Sequence, residues 1–151
     1  MRALATALTA GTAVLLALAP VTAQAGTTAG PNGGCSDQPT RYTTKDGKDS
    51  IAFHACVNKD RSNLIPSVRV AGISGNRRCT INVFVRRVGA GIPSSQSFAC
   101  PEPAKRKAGA KFDFTSASSC PQPGSYRTEV NVTFQDINVQ TPASLSPTVS
   151  M

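Results

Sequence analysis

Ser125-Tyr126-Arg127-Thr128-Glu129-Val130-Asn131-Val132-Thr133-Phe134 decides the fold. Tyr126, Thr128, Val130, Val132 and Phe134 share one parity, and Arg127, Glu129, Asn131 and Thr133 share the other. Successive side chains of an extended chain point to opposite faces, so this alternation predicts a central strand with one face on a core. Shorter runs of the same kind lie upstream. Ile51, Phe53 and Ala55 alternate with Ala52, His54 and Cys56, and Val68 and Val70 flank Arg69. Ile81, Val83 and Val85 alternate with Asn82, Phe84 and Arg86, while Phe98 with Cys100 and Phe112 with Phe114 each share a parity. Gly, Pro, Ser and Asn separate these runs about every ten to fifteen residues, the all-β signature. Asp46-Gly47 marks a turn after Tyr42-Thr43-Thr44, and Ile137 with Val139 extends the best strand or begins a last one. No segment past the N-terminal apolar run keeps helical periodicity over three turns, which argues against an α/β layer. The expected architecture is an antiparallel β-sandwich of six to eight strands over residues 41–140.

Within Gly124-Ser125-Tyr126-Arg127-Thr128 the chain resembles the immunoglobulin-like strand that opens with Gly-x-Tyr. The resemblance implies a Tyr126 hydroxyl that returns to nearby backbone at the sheet corner. Thr128 stands where an immunoglobulin domain has cysteine, and the chain has no Trp, so the resemblance is one of architecture.

The two ends read differently from this middle. Met1-Arg2, the apolar run Ala13 to Ala19, the break at Pro20 and Ala23-Gln24-Ala25 form a secretory signal over residues 1–25, with cleavage before Gly26. The apolar run is too short to span a bilayer and no longer one follows, which predicts a secreted, extracellular protein without an integral membrane segment. Residues 26–40, rich in Gly, Thr and Pro, are expected to form a flexible, disordered N-terminal arm. Residues 141–151, rich in Ser, Thr and Pro, are expected to fray as a flexible tail.

The five cysteines are Cys35, Cys56, Cys79, Cys100 and Cys120. Their even spacing lacks the CxxC pairs of a zinc site and suits strands stapled at their ends. Alternating strand directions favour Cys56 with Cys120 at one pole and Cys79 with Cys100 at the other. That leaves Cys35 on the arm, free for an intermolecular bond, with Gly33 and Gly34 keeping it accessible. The competing arrangement joins Cys35 to Cys56 and puts the odd thiol among Cys79, Cys100 and Cys120.

Removing Arg2 from the 16 Lys and Arg leaves 15 against 8 Asp and Glu, a net charge of +7 for the exported chain. A basic surface favours anionic partners such as acidic proteins or cell-envelope polymers. Candidate contact residues are Arg86-Arg87 and Lys105-Arg106-Lys107, with Arg77-Arg78 and Lys111 adding charge. Nucleic acid is not expected as a partner, because no aromatic residues interleave with the basic ones to stack on bases.

Little points to catalysis. His54 is the one histidine, so any Ser-His-Asp or Cys-His device must use it, yet it falls inside a predicted strand. The carboxylates form no paired motif of a glycoside hydrolase. Lys45-Asp46-Gly47-Lys48-Asp49 lacks the remaining oxygen ligands of a calcium loop and reads as a turn. Asn131-Val132-Thr133 matches a glycosylation acceptor but lies within the best strand. No phosphate loop or nucleophile elbow occurs, so no enzyme, cofactor or metal is expected.

In layout (signal, arm, small disulfide-stapled sandwich) the chain resembles small secreted proteins of filamentous Gram-positive bacteria, and among them the adaptor subunit of umbrella toxin particles. That resemblance implies a non-enzymatic protein-binding subunit whose arm inserts into another secreted protein while its body holds a stalk. Two other roles compete. One is an inhibitor of secreted hydrolases that presents a basic residue to a trypsin-like protease, with Cys100-Pro101-Glu102-Pro103 bracing the loop. The other is a binder of anionic cell-envelope polymers.

Overall fold

The structure is a computed structural model and describes residues 30–117, 119 and 121–151. The expected signal over 1–25, the first residues of the expected arm and Cys120 lie outside the described residues. Among the described residues no helix is long and apolar enough to cross a membrane.

Two antiparallel sheets face each other across a larger and a smaller cluster of buried apolar residues. The first holds β1 (Gly33–Cys35), β2 (Thr40–Thr43), β3 (Ser50–Asp60), β4 (Asn63–Ser74) and β7 (Phe112–Thr115). Its order is β3 then β4 then β7, with β1 and β2 end to end along the outer edge of β3. The second holds β5 (Cys79–Arg87), β6 (Ser94–Ala99), β8 (Ser125–Phe134), β9 (Val139–Gln140), β10 (Ser144–Leu145) and β11 (Val149–Ser150). β6, β5 and β8 run in that order, and the three short strands line the far edge of β8. The chain crosses between sheets after β4, after β6 and after β7.

The opening stretch forms β8 with the expected face inward: Tyr126, Thr128, Val130, Val132 and Phe134 are all buried. Val130, Val132 and Phe134 meet Phe53, Ala55, Val68 and Val70 from the facing sheet, with Ile81 and Val83 alongside on β5, while Tyr126 packs with Val57, Leu64, Val85 and Val149. Full burial of each large aliphatic or aromatic side chain contributes about 1.5–3 kcal/mol. Tyr42 packs on Phe134 and Phe98 on Phe114, with ring centroids 5.9 and 5.4 Å apart. The Tyr126 hydroxyl donates to the Gln122 carbonyl at 2.8 Å, which ties the start of β8 to the chain leading into it.

Three expectations need correction. The arm is not free over its described part, because β1 pairs with β3 and places Cys35 directly opposite Cys56. Cys56 is therefore bonded to Cys35 and not to Cys120, with Cα atoms 3.9 Å apart. Gly33 makes the approach possible. It has φ of +103°, and a Cβ there would lie 2.0 Å from the Val57 carbonyl oxygen. Gly33 and Gly34 thus serve the strand, pairing with Asn58 and Val57.

The tail is not frayed either. Thr141 and Ser146 each donate a backbone N–H to β8, to Val132 and Thr128 at 2.8 and 2.9 Å. Their hydroxyls accept the Val132 and Thr128 N–H groups at 3.0 and 2.8 Å. A Ser or Thr before proline thus supplies, from its side chain, the acceptor that the interrupted ladder lacks. Thr141, Ser144, Ser146 and Val149 are buried as a result.

Candidate functional site

The basic loops separate onto opposite poles of the sandwich. One pole gathers the β2–β3 turn, the β4–β5 connection, the long β6–β7 loop and the turn after β8. In the β2–β3 turn Gly47 adopts φ of +69°, and the Thr44 N–H donates to the Asp49 carbonyl at 2.9 Å. The Thr44 hydroxyl donates to Asp46 Oδ1 at 2.6 Å, and the Lys48 N–H donates to the same oxygen. This web is local and follows from the Asp-Gly turn chemistry.

Arg77 from the β4–β5 connection closes the turn. Its Nη2 donates to Asp46 Oδ2 at 2.7 Å and its Nη1 to Asp49 Oδ2 at 2.8 Å. The Asp49 carboxylate is buried and also accepts the Arg77 backbone N–H at 3.0 Å. Gly75 leaves room for it: a Cβ there would sit 2.0 Å from Asp49 Oδ1. The Arg77 guanidinium, with the Thr44 hydroxyl and the Lys48 amide, holds the Asp46 carboxyl well below the usual range. In return Asp46 raises the Arg77 guanidinium above the ordinary arginine value.

The β6–β7 loop is anchored at its root by the Cys79–Cys100 disulfide, with Cα atoms 5.2 Å apart. A 3-10 turn over Pro103–Lys105 follows. Arg106 then reaches back, its Nε donating to the Pro101 carbonyl at 2.7 Å and its Nη1 to the Gly75 carbonyl at 2.9 Å. Partial withdrawal from water lowers the Arg106 guanidinium, an effect that nearby Asp49 only partly opposes. Arg106 is thus a brace, while Lys105 and Lys107 on either side of it are exposed. Exposed Lys45, Lys48 and Arg78 share this pole, although Arg78 already pairs with Asp136 at 3.7 Å. A cavity of about 260 Å³ lies beside Arg77, walled by Tyr42, Ile137 and Val139.

Arg86 and Arg87 sit at the other end of β5. Arg86 forms a two-point ion pair with Glu129 across the ladder, its Nη2 donating to Oε1 at 3.0 Å and its Nε to Oε2. Glu129 raises the Arg86 guanidinium above its usual value. Arg87 donates to the Pro123 carbonyl at 2.9 Å. The structure therefore brings Lys105, Arg106 and Lys107 together with Arg77 and Arg78, and keeps Arg86 and Arg87 apart from them.

His54 lies on the outer face of β3 with Nδ1 bonded to the Ser36 carbonyl at 2.7 Å, so its ring has a backbone partner and not a carboxylate. Asn131 is buried, its Oδ1 accepting from Asn82 Nδ2 at 2.9 Å, which removes it from reach of a glycosylating enzyme. Among the described residues no group of three His, Cys, Asp or Glu could hold a metal ion. The Asp49–Arg77 pair and the bracing role of Arg106 were missed from the sequence, where 28 and 31 residues separate the partners. Comparison with protein-family models, with curated proteins and with solved structures gave no match.

Proposed function

We propose that the protein is a secreted, non-enzymatic protein-binding subunit of an extracellular bacterial complex, acting as an adaptor of the kind found in antibacterial toxin particles. The observation that carries this reading is the β6–β7 loop, fixed at its root by Cys79–Cys100 and in its middle by Arg106, with Lys105 and Lys107 turned to solvent. A loop ordered before binding loses little entropy on docking, and clustered cations favour an acidic partner surface. The two disulfides accord with an oxidising extracellular compartment. The three crossovers between sheets and the Tyr126–Gln122 bond support an immunoglobulin-like relationship. Because residues 30–40 are tied to β3, recognition is assigned to this pole and not to insertion of the arm. Affinity purification from culture supernatant tests the role: a secreted protein recovered in stoichiometric amount supports it, and recovery of the chain alone refutes it.

A second reading, inhibition of a trypsin-like protease, draws on the disulfide anchor beside Lys105. Arg86 and Arg106 are occupied within the fold, which leaves Lys105 and Lys107 for a protease to read. Lys105 ends a 3-10 turn, whereas a protease reads an extended segment, so the adaptor reading stands first. Trypsin activity unchanged by excess protein would eliminate the inhibitor.

A further inference from the structure

Among the described residues β6 ends its sheet and pairs only with β5. Edge strands of soluble proteins usually carry lysine, proline, a bulge or a cover that blocks further pairing. Ser94 to Ala99 holds neither a charge nor a proline, and every residue but Phe98 is exposed. The other edges are short or guarded: β1 has three residues, β2 carries Arg41, β7 carries Asp113, and Pro142 and Pro147 interrupt the β9–β11 edge. The Cys100 N–H donates to the Cys79 carbonyl at 2.9 Å, which fixes the ladder's parity. By that alternation Ser95, Ser97 and Ala99 aim their backbone N–H and C=O groups away from β5.

The strand itself is held firmly. Gln96 Oε1 accepts from the Ser116 hydroxyl at 2.8 Å and the Ala117 N–H at 3.0 Å, while the Ser97 hydroxyl donates to Asn82 at 2.9 Å. At its start Val88 and Ile92 are 56% and 45% exposed, the two most exposed large apolar side chains described. A cavity of about 220 Å³ opens there beside Ser94, walled by Val85, Pro93, Pro121 and Tyr126 with Arg87 on its rim. Arg87 makes no ion pair among the described residues. The net charge of +7 on the chain without its expected N-terminal signal, 15 Lys and Arg against 8 Asp and Glu, keeps copies of the chain apart and favours an acidic partner.

We propose that β6 accepts an extended acidic segment of another protein as an added strand. Ser95, Ser97 and Ala99 supply its main-chain hydrogen bonds, the cavity beside Ser94 takes an apolar side chain, and Arg87 meets a carboxylate. The proposal rests on the reading of the chain as a protein-binding subunit, yet it concerns a surface separate from the basic pole.

The test is selection of displayed random peptides of about twelve residues on the immobilised full chain, followed by binding of the synthesised winners. The expected winners alternate apolar and polar residues, carry a carboxylate, and slow amide exchange at Ser95, Ser97 and Ala99. Ser97→Pro removes an outward N–H and the hydroxyl bond to Asn82 but spares the main-chain β5 ladder, and it should weaken them about tenfold, the loss of one or two main-chain hydrogen bonds. Should Ser97→Pro perturb folding, Ser95→Lys with Ser97→Lys guards the same edge and should weaken them similarly. Lys105→Glu with Lys107→Glu should leave them unaffected, which separates this edge from the pole. No winners, winners indifferent to both edge variants, protection elsewhere, or self-association abolished by Ser97→Pro would each overturn the proposal.

Discussion

Cys35 lies directly across the β1–β3 ladder from Cys56, and the bond between them fastens the Gly-rich segment to the edge of the first sheet. Both sulfurs belong to one antiparallel pair, and the Ser36 N–H continues the contact by donating to the Ala55 carbonyl at 2.9 Å.

Replacing both residues, Cys35→Ser with Cys56→Ser, should lower stability by about 3 kcal/mol, the entropy expected for a loop of this length. Urea unfolding checks the value. Thiol labelling of the unreduced protein should modify one cysteine, in the peptide holding Cys120, since the other four form two bonds. Labelling of Cys35 would contradict the pairing.

Asp49→Ala should cost about 2 kcal/mol, because it strips the part-buried Arg77 N–H of its acceptor and leaves the guanidinium with Asp46 alone. Asp46→Ala should cost less, since its pair with Arg77 is partly exposed. Asp46 is depressed in the folded state, so its contribution is fully present above the unfolded aspartate value near pH 4 and fades as pH falls toward the lower folded value. Thermal melts between about pH 5 and pH 2 should show that decline, and Asp46→Asn should flatten it.

Thr128 is fully buried on the core face of β8, and its hydroxyl finds no partner among the described residues. Thr128→Val keeps the shape and removes the unsatisfied group, which should stabilise the protein by about 1 kcal/mol. A lower denaturation midpoint for this variant would count against that account.

Ser146 completes β8 from the other side. Ser146→Ala should cost about 1–2 kcal/mol by orphaning the buried Thr128 N–H, and deletion of 141–151 should bare the β8 edge and promote aggregation. Light scattering of the truncated chain checks the second point.

β8 was legible because its alternation is long and its two faces differ in polarity. β1 and the tail were not. Three glycine-rich residues and scattered Ser-Pro and Thr-Pro steps carry no apolar period, so only tertiary pairing with β3 and β8 orders them. The Cys79–Cys100 bond followed from adjacent strands, whereas Cys35–Cys56 depended on a strand that composition hides. The basic tripeptide at Lys105 was visible as charge, but Arg106's inward role depends on Gly75, brought close by the fold.

The most direct measurement of the pole's role is capture of secreted partners from culture supernatant by the wild-type chain and by Lys105→Glu with Lys107→Glu, at low and high salt. The account predicts a stoichiometric partner on the wild-type chain that is lost with the charge reversal and weakened by salt. A partner retained equally by the reversed chain would contradict it.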